Sequence, residues 1–108
     1  HPRSAWLTGA ALQAFATLRS RGLVPKVMQP VLRRRFDRSS YLYNTDGVIF
    51  SDAGYPVLFL DEHINKFHNL ERRGYHDRED GVANICRAYA TGIARVALAT
   101  ALLVSAAP

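Results

Sequence analysis

The stretch from Tyr55 to Leu60, "YPVLFL", decides how the rest of the chain is read. It is a continuous apolar run of strand length, bounded by Gly54 and Asp61, which is the pattern of a strand buried on both faces. A strand of that kind needs layers above and below it and neighbours on both sides. Just before it, "TDGVIFSDAG" places Asp46 ahead of an apolar cluster and Gly54 after it, which predicts a short helix over 47–52 with a start and a stop signal. "SYLY", residues 40–43, predicts a further short strand with Tyr and Leu on opposite faces.

Further upstream, Trp6, Leu7, Ala10, Leu12, Phe15, Ala16 and Leu18 recur at helical spacing, with Ser4 able to cap the start and Gly22 placed to stop the end. They predict an amphipathic helix over 5–21. A short second helix is expected from Pro30 through Val31, Leu32 and Phe36. Downstream, Asp61 to Gly81 is a long polar stretch without a period, and loops of that length are often functional. Val82, Ile85, Tyr89, Ile93, Val96 and Leu103 then predict a long closing helix, with Asp80 as a candidate cap, Gly92 as a weak interior point and Cys86 on the apolar face. The predicted order is α/β with too few strands to complete a sheet. A pairing partner, either the missing part of the domain or a second chain, is therefore expected.

Composition supports a single folded unit. The 108 residues are 48% hydrophobic and 21% charged, which is ordinary globular usage and excludes a disordered chain. One cysteine excludes a disulfide scaffold. Charge is uneven: residues 1–40 hold eight Arg or Lys against one Asp, and residues 41–108 hold six against eight acids. The cluster Arg33 to Arg38 reads as a solvated helix end, and no nucleic-acid partner is expected, because interleaved stacking aromatics are missing. The longest uncharged apolar run, Val96 to Ala107, falls short of the ~20 residues that cross a bilayer, so no membrane span is expected.

Three of the four histidines, His63, His68 and His76, lie in the long polar stretch among carboxylates, the ligand types of a hydrolytic zinc site. Spacing alone offers neither H-E-x-x-H nor C-x-x-C. Taken together, however, "NTDGVIFSDAGYPVLFL", then "GYHDRED", then a long helix resembles the C-terminal portion of the zinc aminopeptidases with two co-catalytic metals. These are of the bacterial leucyl aminopeptidase type, a family related to glutaminyl cyclases. The resemblance covers residues 41–104, with Thr45-Asp46-Gly47 at the family's turn, Ala53 to Val57 at its strand, and Tyr75-His76 with Asp80 at the loop's end.

The resemblance implies a three-layer α/β/α zinc-peptidase-like fold, of which residues 1–108 form a C-terminal segment with an incomplete sheet. It implies two zinc ions in the complete site, with His76 as one metal ligand. Tyr75 would face the oxyanion of a peptide substrate cut at its N-terminal bond by metal-activated water. Asp46 and Asp80 would steady the loop or orient the histidine. Gly47 stands where the family often has histidine, and residues 1–40 hold only Asp37 as an acid, so the other ligands and the general base are missing. The chain alone would be inactive, one wall of a site. The alternatives are a glutaminyl cyclase-like acyltransferase, which Tyr75 in place of Trp disfavours, and a non-catalytic interaction module of the same fold.

Overall fold

The computed structural model describes residues 2–34, 36–37, 40, 42, 45–61 and 78–106. Among them are three α-helices, α1 (Pro2–Ser20), α2 (Gly47–Asp52) and α3 (Arg87–Ser105), and a 3-10 turn at Val82–Asn84 just before α3. No described residue is in a strand. The expected α/β class is therefore corrected to a helical one, and the three-layer sandwich falls with it.

"YPVLFL" shows why. Residues 55–60 run without regular structure, and Tyr55 and Phe59 are exposed at 62% and 43%, so the run is not buried on both faces. Only its last residue, Leu60, packs against the core. A strand is made by its neighbours' backbone donors and acceptors, and the described residues supply no ladder for this one to join. The short helix expected from Pro30 is also absent, for residues 30–34 are irregular. Of the expected strand at 40–43, only Ser40 and Leu42 lie within the described residues.

Two helix stops follow the glycine rule. Gly22 has φ 68°, its N–H donates to the Arg19 carbonyl (3.0 Å) and the Leu23 N–H donates to the Leu18 carbonyl (2.9 Å), closing α1. Gly54 repeats the geometry after α2 with φ 85°, Gly54 N–H to Ser51 O at 3.1 Å and Tyr55 N–H to Phe50 O at 3.0 Å. This paired bonding satisfies the last carbonyls of a helix through a left-handed residue that only glycine adopts freely. The apolar contact that accompanies such a stop is here the edge-to-face pair Phe50–Tyr55, with ring centroids 6.5 Å apart.

The core lies between α1, α3 and the connector that leaves α1. Phe15, Val24, Met28 and Val96 are buried together, with Leu18, Leu60, Tyr89 and Ile93 packed around them. The start of α1 (Trp6, Gly9, Ala10) shares a groove with Leu103 near the end of α3, whereas the connector after α1 lies on Gly92 near the start of α3. The two long helices are thus antiparallel. Gly92, a weak point by helix propensity, has a positive role: a Cβ there would stand 2.6 Å from Met28 Sδ and 3.0 Å from Pro25 Cδ. Its missing side chain is what lets the connector close on α3.

Two arginines fix that connector from opposite sides. Arg19 of α1 donates to the carbonyls of Met28 (2.7 Å) and Lys26 (2.8 Å) while its guanidinium lies 5.7 Å from the Phe15 ring centroid. Arg95 of α3 donates to the Leu23 carbonyl at 2.7 Å. A planar guanidinium suits this work because its donors are fixed in a fork and charged donors make the stronger hydrogen bonds.

Candidate functional site

Of the residues expected to form a metallopeptidase wall, Tyr75 and His76 lie outside the described residues. Asp46 stands at the N-terminal boundary of α2 in a right-handed helical conformation and makes no side-chain cap bond. The neighbouring Thr45 does the capping work instead, its Oγ1 donating to Leu42 O at 2.8 Å and accepting from Gly47 N–H at 3.3 Å. Asp80 is exposed in the turn before Val82–Asn84, and it is Cys86, not Asp80, that borders α3. Cys86 is an exposed free thiol rather than a residue on a buried helix face. Gly47, at the family's histidine position, sits close to its neighbours: a Cβ would come within 2.9 Å of Leu42 Cδ1 and 3.1 Å of Val57 Cγ1, so those side chains would have to shift to admit one.

No group of three or more His, Cys, Asp or Glu that could hold a metal ion occurs among the described residues. With no sheet and no such group among the described residues, the zinc aminopeptidase reading is overturned, as are the zinc cofactor, the hydrolase activity and the glutaminyl cyclase alternative. The expected partner that completes a sheet falls too, because the described residues form no sheet to be completed. The interaction module of the same fold is corrected on the same ground.

What the structure does offer is apolar surface on acid-free helices. Neither α1 (PRSAWLTGAALQAFATLRS) nor α3 (RAYATGIARVALATALLVS) contains Asp or Glu, and their charged residues are Arg3, Arg19, Arg87 and Arg95. α3 is long and apolar enough, by length and composition, to cross a membrane, and only 17% of that stretch is buried. The uncharged run from Val96 is thus part of a longer helix, which continues through Arg95 back to Arg87.

Gly92, Val96 and Thr100 form the buried face of α3, Thr100 being satisfied internally by donating to Val96 O at 2.6 Å. The outward face carries Leu98 and Leu102, one helical turn apart and exposed at 63% and 60%. Leu103, beside it on the flank that meets α1, lines an open groove with Trp6, Gly9, Ala10 and Gln13. Trp6, with an apolar ring and one polar N–H, is itself half exposed. Sequence reading missed this surface because it treated every apolar residue at helical spacing as core. The available signal was the missing acids in 87–105 together with leucines on the side opposite Gly92 and Val96.

The comparisons with known proteins add no relative: no family model, no curated protein and no solved structure matches the chain.

Proposed function

We propose that this chain is a helical module that binds the surface of an anionic membrane through the outward face of α3. The observation that carries the reading is α3 itself, 19 residues of membrane-compatible composition, 17% buried and without an acid. A soluble core helix passes the same compositional test, but it is mostly buried, and α3 is not. Arginine as the sole charge on α1 and α3 gives complementarity to anionic headgroups, as does the net charge of +5.

The bound form lies on the membrane rather than through it. At 1.5 Å rise per residue α3 is about 28 Å long, and Arg95 falls about 12 Å from its start. In a spanning helix that charge would sit near the bilayer centre, at a cost of roughly 2.5–3.5 kcal/mol. Lying in the interface, the helix buries Leu98 and Leu102 among the acyl chains and leaves arginine at the phosphates. Each leucine is worth about 1–2 kcal/mol at this partial exposure, so the pair contributes about 3 kcal/mol, the scale of a useful surface anchor.

Flotation with phosphatidylglycerol vesicles, with phosphatidylcholine vesicles as the neutral control, tests this reading. The wild-type chain is expected to float with the anionic vesicles and to release as salt rises, since the Debye length shrinks from about 10 Å at 0.1 M to about 3 Å at 1 M. Leu98→Glu with Leu102→Glu should lower the partition about 100-fold, from the leucine burial alone. A chain that stays in the soluble fraction with both vesicle types, or that instead forms concentration-dependent oligomers lost in the double variant, would overturn the membrane reading.

A further inference from the structure

Arg95 is the one charge between Ala88 and Ser105 of an otherwise uncharged helix, and it is exposed. Among the described residues no carboxylate pairs with it. Its recorded contact is the bond from NH1 to the Leu23 carbonyl, at 2.7 Å and on the exposed side of the connector. Arg19 differs, since both of its terminal nitrogens are spent on the carbonyls of Met28 and Lys26. Arg87, at the first position of α3, is exposed and has no hydrogen-bond or ion-pair partner among the described residues to orient it.

From this difference we infer that Arg95 is a prepositioned contact for a lipid headgroup phosphate, and that it sets the depth at which α3 rests. The inference builds on the membrane reading above and names the ligand chemistry of that same face. The Leu23 carbonyl holds one edge of the guanidinium, so the plane is oriented before a ligand arrives, and the remaining N–H donors are available to a phosphodiester oxygen. Preorganised donors lose less conformational freedom on binding than a free side chain does. Arg95 precedes Leu98 by three residues and Leu102 by seven, nearly two full turns, which places all three on neighbouring parts of one outward face. A phosphate held by Arg95 therefore brings both leucines to the level of the acyl chains next to it.

Equilibrium partition of the full chain into phosphatidylglycerol vesicles, measured across a salt series, tests the assignment. Arg95→Gln is expected to weaken partition about tenfold, about fivefold for one basic residue at an anionic surface and the rest for the oriented bond. Arg95→Lys keeps the charge and loses the fork, and is expected to weaken partition about threefold. Thermal melts of each variant in the absence of lipid separate the loss of the Leu23 bond from the loss of binding. Arg95→Lys partitioning as tightly as wild type would overturn the oriented contact and leave only a charge count. Release of the chain by millimolar inorganic phosphate at constant ionic strength would overturn the lipid assignment in favour of a free-anion site. If Arg95→Gln floats like wild type, this inference fails while the membrane reading stands; if the wild type does not float, the membrane reading itself has failed.

Discussion

Gly92 shows how one position can be misjudged by propensity and explained by packing. In a helix interior glycine costs about 1 kcal/mol relative to alanine, which made it a weak point in the sequence. In the fold, Met28 Sδ and Pro25 Cδ occupy the space a Cβ would need. Gly92→Ala is therefore expected to be destabilising by about 1 kcal/mol net, overpacking of about 2 kcal/mol outweighing the helix gain. Urea unfolding of the two chains decides it, and a more stable alanine variant would show that the connector does not close on α3 here. At Gly47 a Cβ would press on Leu42 Cδ1 and Val57 Cγ1, which would have to move to accept a side chain. His76 and Tyr75 lie outside the described residues, whereas Asp46 and Asp80 take no hydrogen-bond or ion-pair partner there through their carboxylates.

Among the elements, α2 was the most legible. Its bounds, 47–52, match those read from the sequence because the signals are local, with Gly54 stopping it as expected, although Thr45 rather than Asp46 supplies the side-chain bond at its start. The same segment also explains why a peptidase strand was inferred. "AGYP" is the exit of a helix, with glycine in the left-handed position, an aromatic packing back on Phe50, and proline barring continuation. A local helix stop thus carries the same residues as one part of that family's site. Gly54→Ala is expected to fray α2 at a cost of about 1 kcal/mol, since a Cβ is disfavoured at φ 85°. Loss of helical Cα chemical shifts at 47–52 and of the Phe50–Tyr55 contact would register it, and unchanged shifts would contradict the role given to Gly54. α1 was also legible, its observed Pro2–Ser20 lying close to the expected 5–21, whereas α3 begins later than its apolar period suggested. A 3-10 turn at Val82–Asn84, held by Asn84 N–H to Gly81 O at 2.9 Å, takes up the residues that the period had assigned to the helix.

At the level of the assembled chain the sequence misled most, because a sheet depends on pairing and pairing is not a local property. "YPVLFL" has the composition of a buried strand, yet its exposure at Tyr55 and Phe59 shows that apolar composition does not guarantee cover. Cover is short throughout the described residues. Their buried apolar side chains larger than alanine are Phe15, Val24, Met28, Leu42 and Val96, while Trp6, Phe36, Ile49, Phe50, Leu98 and Leu102 are among the exposed ones. A chain with more large apolar groups outside than inside has a surface to place against something, and the acid-free helices favour an anionic bilayer over an acidic interior. Leu98→Trp in a Trp6→Phe background puts the chain's only indole on the outward face of α3 and reads that placement from its fluorescence. With phosphatidylglycerol vesicles the emission is expected to shift to the blue and to be quenched by bromine on the acyl chains. An emission maximum that stays at its lipid-free position, with no bromine quenching at low salt, would contradict the account.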